Sequence, residues 1–504
     1  MKHAPVYTAP AALVEGSDLH LPEGMRVPRG WSGVAIGKGK DAVKLYWALT
    51  EQSEQMMSNV DLNRYSQARF RFSLALNYRA PIQIKVYLLQ SKATLGWIDV
   101  RYGYVFQPFE LKLDGEQAWS ALREGIGLEA HGEANDLDGG RDGGRLWIFD
   151  RLQDDESRRF FTPQLLFAEE NSDRWQLFLD RMLSLSSLQP FGWMEGCVLD
   201  GLYDLRAVAE PEKVERVLSS HFDQFIDRDG RLRYEDLYSK PVDNTFTTIE
   251  ATLPIGVLSK LQPDHPAVER AIEYWLSHYR NGMIADGDTV TAEGAYTIAY
   301  PMAVAATRLQ REDLARLALE QLMLRRERLV KGRNLYLRNY GNGKKLTFRN
   351  WSRAYAWYML GLTRTWLELN AYAYADLDGM KEVREAIRHV VDNALTYRLP
   401  QGLWSCFLDE PETGIETSGS AGIAAAIALG AGHGLLPESM LEIAEQCFEE
   451  LANWLSPDGV LHGVSQHNAG GIGLQRSGYR VYSQLGMGLT AQLYAAIHKA
   501  KRDP

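Results

Sequence analysis

The chain has 504 residues, of which 45% are hydrophobic and 24% charged, and its formal net charge is -10 at pH 7. This length exceeds one ordinary core and predicts either two domains or one large toroidal domain with an appendage. The acidic balance and the absence of a basic stripe argue against a nucleic-acid partner, because phosphate binding requires clustered Lys and Arg. The 24 Tyr and 13 Trp suit stacking on sugar rings as well as core packing.

The N-terminal sequence has no continuous apolar stretch of signal-peptide length. Three cysteines, Cys197, Cys406 and Cys447, lie far apart and lack C-x-x-C spacing, so neither a disulfide framework nor a zinc site is predicted. No phosphate-binding loop is found either, and we expect no cofactor. Together these features predict a cytoplasmic protein without a membrane partner.

Up to about residue 170 the hydrophobic pattern alternates every second residue, as in Arg69–Tyr78, Ile82–Leu89 and Phe109–Leu113. This period predicts antiparallel strands, and we expect a β-sandwich accessory domain over residues 1–170. The segment Asn135–Gly144 contains three aspartates but lacks the terminal Glu of a calcium loop at the required spacing. It is therefore predicted to be a solvated turn rather than a metal site.

From Trp175 onward the period becomes helical, with about twelve segments of helical pattern. Glycines followed by a short apolar step recur at intervals of roughly 50 to 70 residues, the spacing of a two-helix hairpin repeat; they are Gly230, Gly282, Gly332, Gly402 and Gly459. Such hairpins can stack in an open solenoid or close into a ring. We predict a mainly α protein with an (α/α)6 catalytic toroid over residues 171–504.

In a toroid, acids and aromatic side chains at the N-termini of the inner helices converge on a funnel. Glu293 is placed for this, since it precedes a Gly-Ala-Tyr step that opens an apolar run ending in Tyr-Pro. An acidic residue in the first helical turn is also favoured by the helix dipole alone. The position of Glu293 therefore predicts chemistry only in combination with other residues.

Two motifs give this combination. The segment Gly402–Leu436 contains, in order, a G-L-W step, a D-x-P-x-T turn and an E-T-S-G-S-A helix start, and Trp351, Arg353 and Trp357 follow the pattern W-x-R-x-x-x-W. On the basis of these motifs, the helical part of the chain resembles the unsaturated glucuronyl and rhamnogalacturonyl hydrolases of glycoside hydrolase families 88 and 105. The resemblance implies the (α/α)6 fold and covers no residue of the strand-rich segment.

The resemblance also implies two catalytic carboxylates. The family has one in a Leu-Asp-Asn-like step, which corresponds to Asp243, and a second in a D-G-L-Y-M-like step before a Pro, which corresponds to Glu293 as the catalytic acid. The second residue is usually Asp in the family, and the His commonly found upstream has no equivalent in this chain. These departures indicate a different pocket or a different substrate.

The chemistry needs an acid that is protonated near neutral pH. A 4,5-unsaturated uronate is protonated at C4, water adds at C5, and the hemiketal opens and releases the neighbouring sugar. Two facing carboxylates in a partly desolvated funnel keep one of them protonated, and one carboxyl can act as acid and then as base. We predict that Glu293 is this acid and that Asp243 stays ionised.

Further side chains are predicted to bind the sugar. Arg353 can form a bidentate pair with the uronate carboxylate, or it is a salt-bridge residue at a helix start. Trp351 and Trp357 either stack on a pyranose or belong to the core. The remaining candidates are Tyr296, Thr417, Ser418, which is also an ordinary N-cap, and His467, which shares a Gly-rich loop with His462.

Three functions remain open from the sequence. The first is a glycoside hydrolase that removes an unsaturated uronyl residue from lyase-generated oligosaccharides. The second is an exo-acting glycosidase or lyase on saturated uronosides, for which a carboxyl separation of about 5 to 5.5 Å or about 6.5 to 9.5 Å would indicate retention or inversion. The third is a non-catalytic glycan-binding protein. The sequence leaves the parent polysaccharide and homo-oligomer formation open.

Overall fold

The computed structural model describes residues 6–16, 21, 31–48, 67–132, 145–152, 158–169, 173–236, 240–341, 343 and 345–502. By contacts the chain divides into two compact units. The first unit comprises Met1–Ser186, Leu237–Pro241 and Leu455–Val460, and the second comprises Ser187–Asp236, Val242–Trp454 and Leu461–Pro504. A domain boundary at residue 170 stays a prediction. The turn predicted at Asn135–Gly144 lies outside the described residues.

The first unit is built from antiparallel strands. They are β1 (Val6–Pro10), β2 (Leu13–Glu15), β3 (Trp31–Ile36), β4 (Val43–Tyr46), β5 (Gln67–Ser73), β6 (Ile82–Leu88), β7 (Thr94–Val100), β8 (Pro108–Leu113), β9 (Ile126–His131), β10 (Leu146–Leu152) and β11 (Gln164–Ala168). One sheet has the order β1-β11-β5-β8, a second has the order β2-β4-β9-β6-β7, and β3 pairs with β10. Buried side chains of both larger sheets form one core, which confirms the predicted β-sandwich.

Two helices accompany these strands, α1 (Gly115–Glu124) and α2 (Arg174–Met182). Helix α1 begins with a capping box, because the Asp114 carboxylate accepts from the Gln117 N–H while the Gln117 side chain accepts from the Asp114 N–H. Its buried residues, Trp119 among them, belong to the sandwich core. The helix therefore closes one part of the core that the strands leave uncovered.

The second unit is helical. Its helices are α3 (Trp193–Leu205), α4 (Pro211–Phe222), α5 (Pro254–Leu261), α6 (Pro266–Ser277), α7 (Tyr300–Leu309), α8 (Glu312–Leu329), α9 (Ser352–Asn370), α10 (Met380–Thr396), α11 (Thr417–Gly432), α12 (Met440–Leu451), α13 (Gly471–Arg476) and α14 (Gln484–Arg502). Helices α3, α5, α7, α9, α11 and α14 each pack on the next, and α14 packs on α3, so these six close a ring. This is the inner ring of the predicted (α/α)6 toroid.

The inner helices differ in composition from the outer ones. Helix α11 consists largely of Ala, Gly and Ser, and nearly all of its residues are buried. A helix that is apolar on all sides is stable only when neighbours surround it. The prediction of a buried helix for this stretch is confirmed. No helix among the described residues is long and apolar enough to cross a membrane.

Short strands connect the helices and shape one end of the ring. They are β12 (Arg233–Glu235), β13 (Pro241–Asp243), β14 (Tyr279–Arg280), β15 (Met283–Ile284), β16 (Val290–Thr291), β17 (Val330–Lys331), β18 (Asn334–Tyr340), β19 (Lys345–Arg349), β20 (Ser405–Phe407), β21 (Glu410–Ile415), β22 (Val464–Ser465) and β23 (Arg480–Val481). The repeat glycines turn the chain here with positive φ angles, for example 83° at Gly282 and 92° at Gly402, a conformation that favours glycine.

Candidate active site

Glu293 lies two residues after β16, at the start of the helical segment that leads into α7. Its side chain is 3% exposed. The Oε1 atom accepts a hydrogen bond of 3.0 Å from Nδ2 of Asn468. An acid that served only the helix dipole would lie in solvent, where its charge is well hydrated, so this burial needs another reason.

The helix after Glu293 begins with a π-helical turn, Ala295–Ala299. Gly361 of α9 packs directly against this turn, since a Cβ at that position would lie 2.3 Å from the carbonyl carbon of Ala295. Single π turns inside α-helices are frequent at functional sites. Here the turn and the missing side chain of Gly361 together fix the backbone immediately after the acid.

The neighbour of the Glu293 carboxyl is a second carboxyl, that of Glu250. Glu250 lies in the 3-10 turn Ile249–Thr252 that leads into α5, and it is half-buried. The two carboxyls are close enough for the charge of Glu293 to act on Glu250, and no donor group reaches Oε2 of Glu293.

Electrostatics agree with this geometry. Burial raises the pKa of Glu250 well above its ordinary value, and the adjacent charge of Glu293 raises it further. Like charges in contact cannot both ionise easily. The Glu250 carboxyl therefore keeps its proton to a higher pH than an ordinary glutamate does.

Asp243 does not take the position predicted for it. It ends strand β13, its side chain is 61% exposed, and its carboxylate lies 3.7 Å from Nε of Arg233. The start of the inner helix α5 comes later in the chain, and the acid at that start is Glu250. The role predicted for Asp243 stays a prediction, and Glu250 lies seven residues later in the chain.

A third carboxyl, Asp286, completes the acidic group. Both of its oxygens accept from the backbone N–H of Ile249, at 3.2 and 3.3 Å. Burial raises the pKa of Asp286, and the charge of Glu293 adds to the rise. Asp286 therefore holds the turn that carries Glu250 and also contributes negative charge.

One arginine balances these acids. Arg338 of β18 lies opposite Thr291 of β16 in the sheet, which brings its guanidinium to the site. Its Nη2 donates to Oδ1 of Asn468 at 2.8 Å, and the amide of Asn468 donates to Glu293. Burial lowers the pKa of Arg338, but Glu293 and Glu250 more than offset this and raise it. Arg338 and Asn468 thus place a positive charge and an amide donor beside Glu293.

Arg353 is fully buried and supports the loop that carries Asn468. Its Nη2 donates to the carbonyl oxygen of Gln466 at 2.5 Å, and Nε2 of Gln475 donates to the same oxygen at 2.9 Å. Its guanidinium lies 4.7 Å from the centre of the Trp351 ring. The structure therefore connects Arg353 to Glu293 through the loop, and the uronate contact predicted for Arg353 stays a prediction.

The predicted aromatic residues lie in the interior. Trp351 and Trp357 are 1% and 2% exposed. Trp357 stacks on Tyr296 with 6.1 Å between ring centres. The hydroxyl of Tyr296 donates to the Asp200 carboxylate at 2.6 Å. Tyr296 is therefore committed to the core of the ring, and in this arrangement it offers no group to a sugar.

Thr417 and Ser418 are also committed to internal contacts. The Thr417 hydroxyl donates to the carbonyl oxygen of His462 at 2.8 Å, and the Ser418 hydroxyl donates to Glu416 at 2.5 Å. The N-cap of α11 is Glu416 rather than Ser418, since its carboxylate accepts from the N–H groups of Ser418 and Gly419. The sequence pattern E-T-S-G at this helix start thus describes a cap.

His467 borders the acidic group. Its ring packs on Trp193 with 5.6 Å between ring centres, and its Nδ1 accepts from the N–H of Ala469 at 3.0 Å. This second contact caps the short 3-10 turn that contains Asn468. His467 is 8% exposed, and it lies beside the residue that binds Glu293.

Sequence reasoning missed three residues of the site: Glu250, Arg338 and Asn468. A signal existed for Glu250, because it precedes a helix-starting Pro just as Glu293 does. Arg338 and Asn468 have no local signal, since only sheet pairing and loop packing bring them to Glu293. Among the described residues, no group of three or more His, Cys, Asp or Glu side chains is arranged to hold a metal ion.

Comparisons with known proteins agree with this architecture. The family model described as Glycosyl Hydrolase Family 88 matches residues 170–501. A family 105 glycoside hydrolase from C. acetobutylicum has a TM-score of 0.56 at 19% identity, covering 64% of this chain and 98% of that chain. A possible member of family 105 from Salmonella enterica has a TM-score of 0.53 at 15% identity, covering 62% and 84%.

A third solved structure is an unsaturated glucuronyl hydrolase specific for heparin, with a TM-score of 0.50 at 11% identity, covering 65% of this chain and 95% of that chain. At sequence identities this low, the structural similarity shows a shared fold and nothing more. Among curated proteins, no sequence match is found.

Proposed function

Since the chain belongs to Glycosyl Hydrolase Family 88 and is a glycoside hydrolase, we propose that it removes a 4,5-unsaturated uronyl residue from the non-reducing end of an oligosaccharide. The observation that carries the proposal is the pair of neighbouring carboxyls of Glu250 and Glu293, in which burial and the adjacent charge raise the pKa of Glu250. A structural neighbour of the same fold is an unsaturated glucuronyl hydrolase. The substrate is then a short lyase product with a terminal uronate.

We propose that the pair holds one proton in the resting enzyme and that this proton serves the first step of the reaction. Glu293 transfers the proton to C4, and the electron pair of the C4=C5 bond forms the new C–H bond. Positive charge then develops on C5 and the ring oxygen, next to two ionised carboxylates. These carboxylates stabilise the charge, because electrostatic stabilisation is strong in a site with little water. Arg338 limits their mutual repulsion.

The second step restores the pair. A water molecule bonds to C5 through its oxygen and gives one proton to the carboxylates, so the pair again holds a single proton. The hemiketal at C5 opens to a ketone, and the hemiacetal left at C1 releases the neighbouring sugar. The net reaction adds one water, and the enzyme begins and ends the cycle in the same protonation state.

The separation of the two carboxyls supports hydration over direct displacement at C1. Retaining glycosidases place their carboxyls about 5 to 5.5 Å apart, and inverting enzymes place them about 6.5 to 9.5 Å apart. The charge of Glu293 acts on Glu250, as expected for neighbouring carboxyls rather than for carboxyls on opposite sides of a sugar ring. The alternative of hydrolysis of saturated uronosides is therefore less well supported.

Two arginines are candidates for binding the substrate carboxylate. Arg353 was predicted for this role, and it remains a candidate through its planar guanidinium. What supports Arg338 is its position, because it is half-buried and adjoins both acids, whereas Arg353 is 1% exposed and donates to the Gln466 carbonyl. We propose that Arg338 contacts the uronate and that Arg353 positions the loop of Asn468.

The test is a panel of lyase-generated disaccharides that carry the terminal C4=C5 bond. Saturation of this conjugated bond abolishes its ultraviolet absorbance, so we expect the absorbance to fall with time while the second sugar is released. Release of saturated uronates from matched saturated disaccharides, without any bleaching of the unsaturated panel, would contradict the proposal and favour an exo-acting glycosidase. A loss of absorbance without release of the second sugar would also contradict it.

A further inference from the structure

The five-stranded sheet of the first unit has one face in the core and one face in solvent. On β6, Ile84 and Val86 are buried in the core, and the alternate residues lie on the other face. The register aligns three rows across strands β9, β6 and β7 on this outer face. The rows are His131, Gln83 and Asp99; Glu129, Lys85 and Trp97; and Gly127, Tyr87 and Thr94.

Two aromatic rings lie along this outer face. Trp97 is 48% exposed, and its ring reaches across β6 to contact His131 edge-on with 4.9 Å between ring centres. Tyr87 lies over Gly127, because a Cβ at Gly127 would be 2.2 Å from Cζ of the tyrosine ring. The glycine thus allows one ring to lie flat on the sheet, and polar side chains occupy the space between the two rings.

The basic and the acidic side chains on this face make different contacts. The Nζ atoms of Lys85 and Lys92 lie 5.6 and 5.7 Å from the centre of the Tyr87 ring. The two acids are already bound, since Glu129 accepts from the N–H of Gly39 at 3.1 Å and Asp99 accepts from Arg101 at 2.8 Å. Arg101 offsets Asp99, and Lys85 and Lys92 outnumber the remaining acid, Glu129, which lies opposite Lys85 in the sheet, so the face has a small excess of positive charge within a chain whose formal net charge is -10.

We propose that this face is a second carbohydrate-binding site, and that it takes an acidic oligosaccharide. The apolar face of a pyranose stacks on Trp97 and Tyr87, while Lys85 and Lys92 contact carboxylates of the chain. A protein partner would need a larger continuous apolar patch, and these rings are separated by polar groups suited to sugar hydroxyls. The acidic class of sugar rests on the proposed function, but the site itself does not.

Such a site has a consequence for substrate use. A longer oligosaccharide can be held by the sheet face, whereas a disaccharide gains nothing from it. Substitutions on the face should therefore change the binding of long acidic chains and leave the turnover of the disaccharide unchanged.

The experiment uses the full chain and hexasaccharides prepared by a polysaccharide lyase, with a neutral cello-hexaose as the comparison. Binding is measured by calorimetry in the Glu293→Gln background, so that the probe is not consumed. Trp97→Ala should weaken binding of the acidic hexasaccharide about tenfold, which corresponds to about 1.4 kcal/mol. Tyr372→Ala, an aromatic ring of similar exposure in the second unit, should leave it unchanged.

Lys85→Gln separates the two parts of the proposal. It should reduce binding of the acidic hexasaccharide and leave any binding of the neutral one unchanged. If Trp97→Ala binds the acidic hexasaccharide as tightly as its parent does, the proposed site is wrong, whether or not the melting temperature of the variant falls. Equal affinity for both hexasaccharides overturns the acidic class. If no disaccharide is hydrolysed but Trp97→Ala still loses affinity, the proposed function fails while this site stands.

Discussion

Asp458 in the first unit and Glu293 in the second are both buried acids, but their surroundings differ. The Asp458 carboxylate accepts from Nη1 and Nη2 of Arg71, both at 2.7 Å, and from Nη2 of Arg181 at 3.0 Å. Burial raises the pKa of Asp458, but Arg71 and Arg181 more than offset this and hold it far below the ordinary value. Glu293 instead faces the carboxyl of Glu250, whose pKa is raised.

The surroundings of Asp458 are a cluster of paired charges, whereas those of Glu293 have an excess of acids. Arg71 also binds Glu110, and the Phe160 ring lies 4.7 Å from its guanidinium carbon and 5.0 Å from that of Arg181. Every charge in that cluster has an opposite charge in contact, so no proton moves near neutral pH. At Glu293 the acids outnumber the cations, and this imbalance contributes to the raised pKa values of Glu250 and Asp286. Perturbed pKa values of the second kind are the ones that mark functional sites.

The largest expected effect is loss of activity in Glu293→Gln. Glutamine keeps the size and the contact with Asn468 but has no transferable proton, and general acid catalysis is worth about 10² to 10⁴ in rate. The measurement is bleaching of the unsaturated disaccharide. Glu293→Asp should retain part of the rate, because the family usually has Asp at this position.

The matched control is Asp288→Asn, which changes an exposed acid in the same loop and should leave the rate unchanged. If Glu293→Gln bleaches the disaccharide at near the parent rate, the acid lies elsewhere, and Glu250 is the first residue to test.

The second effect is loss of stability in Asp458→Asn. Removing one partner of a buried ion pair leaves an uncompensated charge and costs about 3 to 5 kcal/mol. Because the folded pKa of Asp458 is depressed, its stabilisation is present above the unfolded pKa and is lost as the pH falls through the folded pKa. Urea unfolding at neutral pH should therefore show the full loss, with a smaller difference from the parent in acid.

Asp180→Asn is the comparison for this variant, since Asp180 is an exposed acid on α2 and its change should stay within about 0.5 kcal/mol. An Asp458→Asn protein as stable as its parent would show that the arginine cluster is not structural.

The third effect concerns Arg338. Arg338→Lys keeps the positive charge but loses the planar fork, and a hydrogen bond to a charged group contributes about 1.5 to 3 kcal/mol. We expect KM for unsaturated uronates to rise about tenfold or more, with little change for neutral analogues. Arg353→Lys is the contrast, and if Arg353 positions the loop, it should lower kcat for both classes. The reverse pattern would assign the uronate to Arg353.

The smallest effect is a pH-dependent gain of stability in Glu250→Gln. Because the folded pKa of Glu250 is raised, its contribution to stability is present below the unfolded pKa and is lost as the pH rises through the folded pKa. Glutamine cannot ionise, so the variant should gain on its parent with rising pH, by at most about 1.4 kcal/mol per pH unit for one proton. Thermal melts across this range measure the difference.

Glu382→Gln, at an exposed position on α10, provides the reference and should follow the parent profile. Parallel profiles for Glu250→Gln and the parent would mean that the two carboxyls do not share a proton in solution.

Local features of the sequence were sufficient for the architecture. A period of two predicted the strands, a helical period predicted the hairpins, and the recurring glycines predicted the turns that join them. These signals are local, because alternation of faces, helical repeat and positive φ each depend on a few neighbouring residues. The position of Glu293 at the start of an inner helix could be predicted for the same reason, whereas its role as the acid stays a prediction.

Tertiary structure decided which side chains meet Glu293. The sequence favoured Asp243, but the carboxyl in contact is Glu250, because the 3-10 turn before α5 carries it into the site while strand β13 leaves Asp243 in solvent. Arg338 depends on the register of β16 with β18, and Asn468 is 175 residues from the acid that it binds. Such contacts are set by how the helices and sheets pack, and the balance of charge that raises the pKa of Glu250 is a property of that packing.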